Sequence, residues 1–179
     1  MAADASALGR GRGLAIAGAG LLSLLAAGVG VWFAFFAAPP FHAAYRLGPL
    51  EIATPWARAT PPGTTVGGGY LAVRNTGAES DRLLGGTAAI APRLDMHTMI
   101  HRGSIMEMRA APTGLEVPPG GVLTLDPHGG HIMFVGLTVP LKEGDKVPVR
   151  LSFEKAGTID VEFVVAGIAA DGPEDTGKR

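Results

Sequence analysis

Residues 97–133 concentrate the chemistry of this 179-residue chain. They hold four of its six methionines and four of its five histidines. As packing residues these two types have little in common. What they share is a lone pair that a soft metal ion accepts. Cu(I) suits thioether and imidazole ligands, whereas magnesium and calcium take oxygen and zinc draws on cysteine, histidine or carboxylate. The chain has no cysteine. That excludes a disulfide framework and a blue-copper electron-transfer centre, which needs a thiolate. Thioethers favour Cu(I) without making it an oxidant towards substrate, so the pattern points to carriage of copper rather than catalysis.

Strands are needed to gather these side chains. The run from His97 to Met108 alternates in a period of two on either side of Arg102-Gly103, a two-residue loop signal for a hairpin. With that loop, His101 faces Ser104, Met99 faces Met106 and His97 faces Met108. Positions 97, 99, 101, 104, 106 and 108 then share one face. His131 and Met133 are two apart and also point one way. The competing reading makes the methionines core filler and the histidines surface residues. Met99 and Met106 fit either reading. His101 and His128, beside turns, read as solvated residues or as auxiliary ligands. Asp95 and Glu107 read as solvated strand charges.

The rest of the chain frames this stretch. A net charge of −1 gives no reason to expect nucleic acid as a partner. Residues 1–12 carry Arg10 and Arg12 just before residues 13–38, which contain no charged side chain. That run is long enough to span a bilayer. The arginines place its start in the cytoplasm, and Trp32, Phe33, Phe35 and Phe36 gather at its far end. The alternative is a cleaved signal peptide; on either reading the remainder is exported. Pro39-Pro40 ends the run, and residues 39–47 read as a linker. From residue 48 to 167, short strands and Gly/Pro turns recur about every ten residues, the pattern of an all-β sandwich or barrel. The strands fall near 50–53, 69–74, 81–84, 88–91, 93–101, 104–110, 122–126, 131–136, 147–153 and 158–165. Residues 55–63 read as extended and irregular, and residues 168–179 as a frayed polar tail.

The sequence resembles the PCu(A)C family of periplasmic copper chaperones, whose motif is H-x10-M-x21-H-x-M. His97, ten residues, Met108 and then His131-x-Met133 match it, with 22 residues rather than 21 in the second gap. The extra residue is expected in Ala110–Thr113. The resemblance also covers Pro55–Gly63, Gly69-Tyr70-Leu71, Arg74–Gly77 and Leu141–Asp145. It implies a cupredoxin-like β-barrel that binds Cu(I) near its surface through His97, Met108, His131 and Met133, with Met99, His101 and Met106 as auxiliary candidates. It further implies delivery of copper to the CuA centre of cytochrome c oxidase, beside Sco-type thiol partners, on the periplasmic side of the membrane. Histidine protonation should weaken Cu(I) binding below about pH 6.

Two other functions compete with this one. A metal-free anchored interaction domain would leave the His/Met cluster without a role. A copper enzyme or redox sensor needs an open coordination position and stable Cu(II), which a methionine-rich site disfavours. No nucleophile elbow, P-loop or dinucleotide fingerprint is present.

Overall fold

The structure, a computed structural model, describes residues 41–102 and 105–173, at 101 and 102 the backbone only. The expected cytoplasmic tail, the apolar segment 13–38, the Gly103 side of the hairpin loop and residues 174–179 lie outside the described residues. No helix of the described residues is long and apolar enough to cross a membrane.

Eleven strands follow one another: β1 Tyr45–Leu47, β2 Leu50–Arg58, β3 Val66–Asn75, β4 Asp81–Ala88, β5 Ala91–Arg102, β6 Ile105–Ala110, β7 Leu115–Val117, β8 Val122–Leu125, β9 His131–Val135, β10 Lys146–Phe153 and β11 Gly157–Ala166. Seven of them close a barrel in the order β2-β11-β10-β4-β5-β9-β3, with β3 pairing back onto β2. The β11–β2 pairing is parallel and the others in this ring are antiparallel. The fold is the all-β, cupredoxin-like barrel expected from the sequence. The remaining four strands extend single barrel strands: β1 on β2, β6 on β5, β7 on β4 and β8 on β3.

Period-two alternation decides what lies inside. On β10, Val147, Val149, Leu151 and Phe153 are buried while their neighbours face out. On β9, Ile132 and Phe134 are fully buried, and Phe134 meets Phe163 of β11 edge to face at 5.9 Å and 87°. Such a pair contributes about 0.5–1.5 kcal/mol beyond the area it buries. On β5, Leu94 and Met96 enter the core. His97 and His131 therefore belong to the outward set of their strands.

Several elements differ from expectation. The stretch read as linker contains β1. Residues 55–58 are regular strand, continuing β2 past a bulge where Thr54 has φ 47° and the pairing with β3 skips between Ala53 and Trp56. The bulge reverses which residues face the main core: Ile52 and then Ala57 join it, and Trp56 is buried instead in a second, smaller cluster with Tyr70, Ala166 and Ala170. The piece expected at 81–84 as an edge is instead part of β4, lying between β10 and β5, and 88–91 is the turn that joins β4 to β5. Strand β7 has no counterpart in the sequence reading.

The segment after β11 is not frayed where it is described. Ala170 is buried against Trp56 and Tyr70. Its carbonyl accepts from Arg58 Nε at 2.6 Å, and Asp171 pairs with the same guanidinium at 2.6 Å.

Candidate metal centre

Strand β5 is the backbone of the site, because it carries β9 along one edge and β6 along the other. His97 stands opposite His131 on β9 and opposite Ala110 on β6. The two imidazole rings have their centroids 5.4 Å apart at 54°. One step along, Asp95 faces Met133; one step the other way, Met99 faces Met108. Met133 and Met108 are therefore the two diagonal neighbours of His97, one on each flanking strand. Diagonal positions are about 7–8 Å apart at the backbone, within reach of long side chains. The register thus places His131, Met133 and Met108 around His97, on the outer face of the barrel.

The hairpin register differs from the one expected. Arg102 pairs with Ile105, so His97 faces Ala110 rather than Met108, Met99 faces Met108 rather than Met106, and position 101 faces Met106 rather than Ser104. The shift moves each partner by two residues. Because the side-chain period is two, a shift of two keeps every residue on its face, whereas a shift of one would have turned the methionines inward.

Electrostatics suits a neutral donor set. His131 Nδ1 lies 3.3 Å from the Gly129 carbonyl oxygen, which can only accept. The proton therefore sits on Nδ1 and the Nε2 lone pair is left for a ligand, the usual way an outer-shell carbonyl fixes a ligating imidazole. Burial holds the His131 imidazole below its ordinary value of 6.5; the Gly129 contact opposes this and the neighbouring His97 ring adds to it. His97 Nδ1 is buried and has no hydrogen-bond partner. An orphaned buried polar atom costs about 1–3 kcal/mol, and a metal ion nearby is one way to satisfy the ring. Among the described residues no group of three or more His, Cys, Asp or Glu stands together as a metal site; what the register gathers is two imidazoles and two thioethers. Asp95 beside Met133 is tied to Arg93 at 2.8 Å, and Arg109 pairs with Glu107 at 3.2 Å. The imidazole of His128 is 79% exposed, near Asp171 at 3.9 Å, in the turn between β8 and β9.

Sequence reasoning missed the wall beside Met133. A cleft of about 330 Å³ runs past His131 and Met133 and is lined also by Tyr70, Arg58 and Gly68. Gly68 is the β3 partner of Met133. The Tyr70 hydroxyl lies over it so closely that an added Cβ would sit 2.5 Å away. Tyr70 in turn packs on Trp56, with centroids 4.5 Å apart, and under Arg58. The run Gly67-Gly68-Gly69 just before Tyr70 was the signal available: glycine inside a strand marks close approach.

In architecture the domain matches solved PCuAC domains. The copper-bound PCuAC domain from PmoF2 is 28% identical, with a TM-score of 0.59 over 70% of this chain and 97% of that one. The solution structure of CuI-DR1885 from Deinococcus radiodurans is 26% identical, with a TM-score of 0.52 over 76% and 85%. Residues 50–165 match the family described as putative lipoprotein LpqE-like, and the putative lipoprotein Lxx21020 of Leifsonia xyli subsp. xyli (strain CTCB07) is 33% identical over 65% of this chain and 69% of its own length. The chain belongs to the LpqE-like family.

Proposed function

We propose that this protein is an extracytoplasmic Cu(I) chaperone, not an enzyme, whose ligands are His97, Met108, His131 and Met133. The observation that carries the reading is the placement of His97: opposite one imidazole, diagonal to two thioethers, with an unpartnered ring nitrogen, on the outside of the barrel. The solved PCuAC domains with copper or Cu(I) in their titles support the same cargo. A site on the surface suits transfer, because an acceptor can displace thioethers one at a time.

The acceptor in this proposal is the copper-site subunit of cytochrome c oxidase, with its CuA thiolates, and a Sco-type thiol protein is a further partner. Anchoring is assigned to residues 13–38. The lipoprotein description of the family supports a membrane location. This chain has no cysteine on which a thioether-linked lipid could be built, so the apolar segment carries that role. A tether raises the effective concentration of the carrier near an oxidase in the same bilayer. When the Cu(I)-loaded chain is mixed with an apo CuA domain under reducing conditions and the two are separated, copper is expected with the CuA domain. Copper that stays with the chain at equilibrium contradicts delivery to that acceptor.

A further inference from the structure

We propose that Met99, Met106 and Met108 form a second Cu(I) site, built of thioethers alone, on the outer face of the β5–β6 ribbon. This deepens the carrier reading and rests on it for its purpose, a hand-off position next to the imidazole site.

The argument starts from the observed register. Met99 and Met108 are directly opposed, which puts their Cβ atoms about 4.5–5.5 Å apart. Met106 lies two residues before Met108 on the same strand and diagonal to Met99, so three flexible thioethers form a compact triangle on one face. Met106 and Met108 are 47% and 49% exposed, open to an incoming ion and free of any packing duty that would explain them. Among the described residues the other large apolar side chains left exposed are Val66, Leu84, Ile105 on the opposite face of the same ribbon, Val122, Val139 and Ile168. On this face of the ribbon every large apolar residue is a methionine. An apolar docking patch needs area, not sulfur; three sulfurs within reach of one point are a trigonal donor set for a soft d¹⁰ ion.

Met108 belongs to both sets, being diagonal to His97 and opposite Met99. A cation can therefore pass from the thioether triangle to the imidazole pair by exchanging ligands around Met108, without leaving the protein. Ligand exchange involves no oxidation: the metal stays monovalent, and a nitrogen lone pair takes the place of each sulfur lone pair that is given up. Thioethers carry no proton in this pH range, so the triangle's own donors give it no pH dependence, in contrast to the imidazole site; the titratable group on this face is His101, at the register position opposite Met106.

The test uses Ag(I), a redox-inert stand-in for Cu(I), and the full chain labelled with ¹³C at the methionine methyls. In the His97→Ala/His101→Ala/His131→Ala variant, which also removes the imidazole at the register position opposite Met106, the methyls of Met99, Met106 and Met108 are expected to shift together on binding one Ag(I), equally at pH 5 and pH 7. The core methyl of Met96 stays unmoved, and adding Met99→Leu and Met106→Leu abolishes the binding. In the unsubstituted chain, the first equivalent shifts Met133 and Met108, and a second equivalent shifts Met99 and Met106 and moves Met108 again, its sulfur, which has two lone pairs, bridging the two ions. Absence of methyl shifts in the histidine variant, or shifts that survive the leucine substitutions, overturns the proposal. So does a second equivalent that leaves Met99 and Met106 unmoved, an arm that holds if the histidine variant does not fold. Failure of the carrier reading itself looks different: Met133 of the unsubstituted chain does not respond to the first equivalent.

Discussion

Replacing both His97 and His131 with alanine is expected to lower Cu(I) affinity by more than about 100-fold while the barrel remains folded. Losing a single outer-shell partner of a metal ligand already costs about 10–100-fold in affinity, and this variant removes both imidazoles. The fold survives because neither ring is part of the core. The residues that hold β5 and β9 in the barrel are their inward neighbours, Met96, Ile132 and Phe134, all nearly inaccessible to solvent. Removing His97 also removes a buried nitrogen that has no partner, so the apo form loses no hydrogen bond at that position. Competitive titration against a Cu(I) chelator measures the affinity, and circular dichroism with thermal unfolding checks the fold. An unfolded variant would make the two histidines structural, and unchanged affinity would remove them from the site.

Acidification is expected to strip Cu(I) from the chain, with a steepness of about tenfold in affinity per pH unit for each imidazole that takes up a proton. The sign follows from competition between proton and metal for the same lone pair. His131 is held below its ordinary value chiefly by burial, so its neutral, ligating form persists to lower pH than a free imidazole would allow. The part of the loss due to His131 should therefore set in at a lower pH than an imidazole of ordinary value would give. The onset expected from sequence, near pH 6, thus moves down for this residue rather than up. Met108→Leu should lower the curve as a whole but leave its pH dependence intact, since a thioether does not titrate. Chelator competition at a series of pH values reads both features. Affinity that rises on acidification contradicts an imidazole-based site.

How far the sequence revealed this site depends on parity. Period-two alternation identified the residues that share a face, and parity is robust: His97 on β5, Met108 on β6 and His131 with Met133 on β9 face outward as expected. Pairing is less robust. Arg102-Gly103 and Gly103-Ser104 both carry hairpin-loop chemistry, and only the pairing of Arg102 with Ile105 separates them. The adjacency of β5 and β9, which makes His97 and His131 direct neighbours, joins segments more than thirty residues apart and left no local trace. The bulge at Thr54 was likewise hidden, because a threonine with positive φ is not what its side chain favours. Its effect is to bury Trp56 in the second, smaller hydrophobic cluster, where it supports Tyr70 beside Met133. The polar composition after Ile168 suggested fraying, yet one small residue, Ala170, fits beneath the Arg58 guanidinium and holds the segment down.

The central claim is a donor set of two imidazoles and two thioethers closing on one monovalent ion. X-ray absorption at the copper edge, on the full chain loaded with one equivalent of Cu(I), counts those neighbours directly. The account predicts both nitrogen and sulfur in the first shell, with the nitrogen contribution gone in His97→Ala/His131→Ala. A first shell of nitrogen and oxygen without sulfur, or one unchanged by that double substitution, would contradict it.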